Sequence, residues 1–177
     1  AIIASGGTSS RMGGINKLTA ILDGIPVIIR TVKAFYDLKY IEQIILIIPK
    51  DDESLYLSLL AKYRMDSKVK FAYSGINRRE SVYNGLMMLD DEEGIVLIHD
   101  GARPLVSRQI IDECIEGAKR YGVCVAASKN TDTIKKADSI MFVEKTLERE
   151  KIYNAQTPQA FKTEFAIAFH KRAKIDN

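Results

Sequence analysis

Cysteine is scarce in this chain. Its two cysteines, Cys114 and Cys124, form no Cys-x-x-Cys motif. That excludes a disulfide scaffold and a cysteine-built metal site, and it fits a reduced, cytoplasmic protein. An excess of one charge sign is also missing. Lys and Arg number 26 against 23 Asp and Glu, for a net charge of +3. Such balance does not hold nucleic acid by bulk attraction, so any anion site must be local. No apolar run is long enough to cross a bilayer and no signal peptide is readable, so no membrane partner is expected. Internal repeats, linkers and low-complexity runs are absent too. What remains is ordinary globular composition, in a length that suits one domain over residues 1–177 with a single core. Both ends are expected to be incomplete, since the chain opens on an apolar strand without Met and stops at Lys174-Ile175-Asp176-Asn177.

The most informative stretch is the first. Ala1 to Ala4 reads as a buried strand, and it gives way to small residues with Gly6, Gly7, Gly13 and Gly14 among them. Little side-chain bulk lets backbone N–H groups converge on an anion, and Arg11 and Lys17 add the charge that dipoles alone do not supply. This is chemistry for a nucleoside triphosphate. Neither a Walker A loop nor a Gly-x-Gly-x-x-Gly turn is present. The competing reading is a plain glycine-rich turn between strand and helix.

Farther along, strand and helix alternate. Strands are expected over 41–48, 69–73, 94–99 and 123–127. Helices are expected from Pro26 to about Asp37, over 51–64 with Leu55, Leu59 and Leu60 on one face, over 78–89, after the cap Ser107, and over 163–173. This rhythm predicts an α/β fold with a doubly wound, mostly parallel sheet. It breaks at about 130–150, where residues 131–136 and 139–144 flank Ala137-Asp138 as a projecting β-hairpin. Residues 153–161 are expected to be extended around Pro158. In such sheets ligands sit outside the carboxyl ends of the strands, and three polar clusters fall there: 5–17, 74–81 and 100–104. Asp100, beside a triphosphate, suits Mg2+, which takes one or two carboxylates plus phosphate oxygens. The alternative is an Asp that caps its own turn or pairs with Arg103. His99 is expected to be structural and His170 to lie on the surface.

Four segments carry a resemblance. Ser5-Gly6-Gly7-Thr8-Ser9-Ser10-Arg11-Met12-Gly13 with Lys17 resembles the first loop of sugar-nucleotide-type nucleotidyltransferases. Residues 75–86, 98–104 and 156–161 narrow the resemblance to the 2-C-methyl-D-erythritol 4-phosphate cytidylyltransferases of the non-mevalonate isoprenoid pathway. It implies a Rossmann-like, nucleotide-diphospho-sugar transferase-like fold whose hairpin is a dimerisation arm. It further implies that the phosphate of methylerythritol phosphate attacks the α-phosphorus of CTP and releases pyrophosphate. Arg11 and Lys17 match the family's catalytic cations. Ala4, Ser5, Gly6, Gly7, Gly75 and Ser81 match its nucleotide pocket, and Asp100 matches the residue near ribose and Mg2+. Arg103 lies where the family contacts the polyol phosphate or supports the site. Thr133 and Arg149 match residues that the arm offers to the neighbouring subunit's site, which implies a homodimer. Without the resemblance, the arm is an ordinary surface hairpin and Arg149 a solvated charge.

The chain departs from the family at Ser9, where a glycine is usual, at Ile76, often polar, and in its ending at Asn177. A ribitol 5-phosphate cytidylyltransferase, a molybdenum-cofactor guanylyltransferase and a catalytically silent nucleotide-binding subunit are the alternatives.

Overall fold

A computed structural model describes residues 1–7 and 16–175, the last three without their side chains. The first loop's Ser9 and Arg11 lie outside the described residues.

The main sheet is built from β1 (Ile2–Ala4), β4 (Ile44–Ile48), β5 (Val69–Tyr73), β6 (Ile95–Asp100), β7 (Val123–Lys129) and β10 (Tyr153–Lys162). Its spatial order is β5-β4-β1-β6-β10-β7. β5, β4, β1 and β6 run parallel, whereas β10 is antiparallel to both of its neighbours, so β7 again shares the direction of β6. The order of connection reverses between β4 and β6 on either side of β1. That is the switch point at which an open α/β sheet leaves a crevice.

β4 shows why the sheet is covered on both faces. All five of its residues are buried; Ile44, Leu46 and Ile48 join one core cluster, Ile45 and Ile47 the other. α1 (Val27–Tyr36), α2 (Glu53–Lys62) and α4 (Arg108–Tyr121) fill the first face, with Phe35, Tyr56, Leu60 and Ile111 at its centre. α3 (Arg78–Leu86) and α5 (Thr163–Ile175) fill the second with Val82, Leu86, Ala166 and Ile167. Each fully buried aliphatic side chain contributes about 1.5–3 kcal/mol, so the double layer explains an almost unbroken β-branched run.

The expected doubly wound α/β sheet is present, and several boundaries differ for local reasons. β4 starts at Ile44, because the Ile41 amide closes a turn on the Leu38 carbonyl at 3.1 Å. α2 buries Tyr56 and Leu60, four residues apart, while Leu55 is exposed. His170 is not a plain surface residue: it is half-buried and burial, then the charge of Arg79, lowers its pKa.

The hairpin pairs β8 (Lys135–Ala137) with β9 (Val143–Thr146), a later second strand than the sequence suggests. Asp138 is the reason. Its Oδ1 accepts from the amides of Ile140 at 3.0 Å and Phe142 at 2.9 Å, which holds residues 138–142 as a turn. A small ribbon of β2 (Ile21–Leu22) and β3 (Ile25–Pro26) precedes α1. The register of β10 shifts between Ala155 and Gln159, where the Thr157–Pro158 bond is cis.

Candidate active site

The first loop and the β5–α3 turn meet above the end of β4. The Ser5 amide donates to the Ile47 carbonyl at 3.0 Å, and its hydroxyl donates to the same oxygen. On the other side of β4, the Ser74 amide donates to Ile48 at 2.9 Å. Gly6 lies so close that a Cβ there would stand 2.5 Å from Ser74 Cβ. Only a residue without a side chain allows this approach. Gly7 is exposed, and no described atom lies within 4 Å of where its Cβ would be.

The turn from Gly75 to Ser81 is closed by its own side chains. Asn77 caps α3 by accepting from the Glu80 amide at 2.9 Å, and Glu80 reaches back to the Ile76 amide at 2.9 Å. This reciprocal pattern resembles a capping box. The Gly75 amide donates to the Ser81 hydroxyl at 3.0 Å, which donates onward to the Asn77 carbonyl at 2.8 Å. A Cβ on Gly75 would lie 2.4 Å from Glu80 Cγ. Ile76 is 94% exposed, so its apolar side chain leaves the turn and only its backbone takes part in it.

Asp100 ends β6 beside the switch point. Gly101 N donates to the Ala4 carbonyl at 2.8 Å, and Thr31 Oγ1 donates to the Gly101 carbonyl at 2.7 Å, joining the ends of β1 and β6 to α1. Arg103 Nε donates to Asp100 Oδ2 at 3.0 Å, and Arg78 Nη2 forms an ion pair with Oδ1 at 3.0 Å. Arg103 Nη1 also donates to Gln156 Oε1, while the Asp100 amide donates to Thr157 Oγ1 at 3.3 Å. The pairing of Asp100 with Arg103, one of the two readings of the sequence, is therefore present. It does not consume the site, because a carboxylate with two guanidiniums leaves a net positive charge for a polyphosphate.

Behind this cluster His99 is buried against Phe35, with ring centroids 5.1 Å apart. Its Nε2 is 3.0 Å from the Arg103 carbonyl. A carbonyl only accepts, so Nε2 carries the proton and the neutral ring's lone pair is on Nδ1. Burial lowers the His99 pKa, against the smaller opposing effects of the Arg103 carbonyl and the Asp100 charge. His99 braces the loop and is structural.

Lys17 is half-buried in a turn where the Thr19 and Ala20 amides both donate to the Asn16 carbonyl at 3.2 Å. Ala4, Ser5, Gly6, Gly75, Ser81, Asp100 and Arg103 thus gather at adjoining strand ends. Thr133 and Arg149 are exposed in the arm, where Arg149 Nη1 donates to the Thr131 carbonyl at 3.4 Å. Among the described residues, no hydrogen bond or ion pair joins either one to Asp100. Arg78, Asn77, Gln156 and Thr157 were not singled out in the sequence. All four lie in the motifs 75–86 and 156–161, but nothing in the linear order aims Arg78, Gln156 or Thr157 at Asp100.

Among the described residues, no group of three His, Cys, Asp or Glu side chains could hold a metal ion. A cation at Asp100 therefore needs oxygens from a ligand, as Mg2+ on a nucleotide does, and the site fits that group. A second cleft, of about 1050 Å3, opens at the opposite ends of the strands. Its rim includes Asp90, Asp91, Glu92 and Glu93, which would repel a triphosphate.

The family model for IspD, 2-C-methyl-D-erythritol 4-phosphate cytidylyltransferase, matches residues 1–177. The chain belongs to this family. Proteins of the same description from Geobacillus thermodenitrificans (strain NG80-2) and Bacillus mycoides (strain KBAB4) are 40% and 37% identical to it. Each alignment covers 98% of this chain and 76% of the relative. The crystal structure of 4-diphosphocytidyl-2C-methyl-D-erythritolsynthase from Anaerococcus prevotii DSM 20548 superposes with a TM-score of 0.86 at 33% identity. That match covers 98% of this chain and 74% of the other. Membership makes the chain a nucleotidyltransferase, specifically a cytidylyltransferase of the non-mevalonate route to isoprenoids. The family is generally metal-dependent. No helix among the described residues is long and apolar enough to cross a membrane.

Proposed function

We propose that residues 1–177 form one nucleotidyltransferase domain that joins CTP to 2-C-methyl-D-erythritol 4-phosphate, giving 4-diphosphocytidyl-2-C-methyl-D-erythritol and pyrophosphate. The observation that carries the assignment of the site is the convergence of Gly6, the Gly75–Ser81 turn and Asp100 beside the switch point. The polyol phosphate oxygen attacks the α-phosphorus and the bond to the β-phosphate oxygen breaks. The nucleophile is already an anion near neutral pH, so no general base is needed. The barrier is the meeting of two anions and the charge on five-coordinate phosphorus.

Lys17 and Arg11 supply cations for that charge. Backbone groups at Ala4, Ser5, Gly6, Gly7 and Gly75 receive the nucleotide, and Ser81 holds the turn that recognises the base. A pocket matched to cytosine rejects other bases by leaving buried polar groups unpaired. Asp100 would hold Mg2+ together with phosphate oxygens, and the ion would offset polyphosphate charge. Arg103, kept in place by Gln156, receives the polyol phosphate.

The arm extends this site into a homodimer in which Thr133 and Arg149 reach the partner's polyol phosphate. Supporting this, Ile140, Met141 and Phe142 expose apolar surface at the arm's turn, Met141 to 82%. Such a patch is a common mark of an interface. A cytoplasmic location accords with two free cysteines.

Pyrophosphate release tests the reading, with each of the four nucleoside triphosphates against methylerythritol phosphate and ribitol 5-phosphate. CTP with methylerythritol phosphate should be the productive pair. Preference for GTP or for ribitol phosphate overturns the substrate assignment, and silence with every pair overturns catalysis.

A further inference from the structure

Two arginines share Asp100, and they are held differently. Arg103 belongs to the same turn: its amide donates to the Asp100 carbonyl at 3.1 Å, and its guanidinium also reaches Gln156. Arg78 comes from another element, the first turn of α3, and crosses the crevice to reach Oδ1 at 3.0 Å. The Arg78 side chain is 52% exposed and that of Asp100 32%. The ion pair is therefore open to solvent and to exchange. A long arginine stem pivoting on a helix start can leave it without disturbing the fold.

The carboxylate oxygen that Arg78 covers is one that a divalent cation would need. A bare cation arriving there must displace the guanidinium and then sit next to it, like charge beside like charge. A metal–nucleotide complex arrives with anionic oxygens of its own. These can accept the displaced guanidinium, close to the N-terminus of α3, where negative charge is favoured.

We propose that Arg78 is a displaceable counter-ion of Asp100, one that suppresses metal binding to the free protein and moves onto the polyphosphate when metal and nucleotide bind together. This rests on the reading of Asp100 as the metal-side carboxylate. It makes metal affinity depend on nucleotide through one side chain, and it gives Arg78 a role in nucleotide binding that its place in the sequence does not announce.

The test is Mn2+ binding to the full chain, followed by the EPR signal of free Mn2+, with and without CTP. Wild type is compared with Arg78→Gln, Arg78→Lys and Asp100→Asn. Without nucleotide, Arg78→Gln should bind Mn2+ about three- to tenfold more tightly than wild type, and Arg78→Lys, which keeps the charge, should stay near wild type. CTP should tighten Mn2+ binding less in Arg78→Gln than in wild type. Equal nucleotide-free dissociation constants for wild type and Arg78→Gln overturn the proposal. If Asp100→Asn loses Mn2+ while Arg78→Gln matches wild type, the displacement fails and the metal role of Asp100 stands. If Asp100→Asn binds Mn2+ like wild type, both fail.

Discussion

The Gly75 amide donates to the Ser81 hydroxyl at 3.0 Å, and that hydroxyl donates in turn to the Asn77 carbonyl at 2.8 Å. Ser81 is thus already engaged in its own turn, as both acceptor and donor. Under the proposed function, the part of Ser81 in base recognition is then indirect: it fixes the backbone of the turn.

Ser81→Ala should leave the Gly75 amide short of a partner, while the Asn77 carbonyl keeps the Ser81 amide at 3.0 Å, costing about 1–2 kcal/mol in urea unfolding. Because the backbone of the turn loosens, KM for CTP should rise more than kcat falls. A fall in kcat with unchanged KM would place the hydroxyl in the transition state instead.

Lys17→Ala should fold normally, since the residue is half-buried in a turn that backbone groups close. Turnover should fall by about 100- to 1000-fold if the ammonium stabilises charge at the phosphorus under attack. Near-normal pyrophosphate release, with an unchanged urea midpoint, would remove Lys17 from the mechanism.

Stability should decline in mild acid. Burial lowers the pKa of both His99 and His170 below the ordinary histidine value of 6.5. The unfolded chain therefore takes up protons first as pH falls, and proton uptake by the unfolded state lowers stability. The contribution of each ring is fully present above the unfolded pKa and is lost as pH falls towards the folded one. The urea midpoint should drop between about pH 7.5 and about pH 5.5, and the slope should be shallower in His99→Gln. An unchanged slope in that variant would remove His99 as a source.

A shared site can be tested by mixing two inactive variants. Lys17→Ala and Arg149→Ala should each be nearly silent alone. If the arm completes the partner's site, a mixed dimer has one site with both lesions and one with neither. Random exchange then restores about a quarter of wild-type activity. No recovery in dimers shown to have exchanged would confine Arg149 to its own subunit.

Much of the fold was legible in the order of the residues. The run Ile44–Ile48 is apolar at every position because helices cover both faces, and a strand buried on both faces has no polar alternation to lose. Ser107 announces its helix by capping it, accepting from the Ile110 amide at 3.3 Å. The arm's turn was less legible. Whether a hairpin turns at residues 137–138 or widens to 138–142 depends on Asp138 accepting two amides, and many Asp residues in loops do not.

By itself, the sequence determined the α/β alternation, the small-residue loop with its cations, and the four motifs that mark the family. These are local properties: periodicity, backbone freedom, and residue types in a fixed spacing. Only the tertiary structure decided which groups meet. Arg78 and Gln156 join Asp100 and Arg103 because α3, β6 and the register shift in β10 converge at adjoining strand ends. The aim of a side chain across a crevice depends on how strands are ordered, and strand order is set by the burial of the whole sheet.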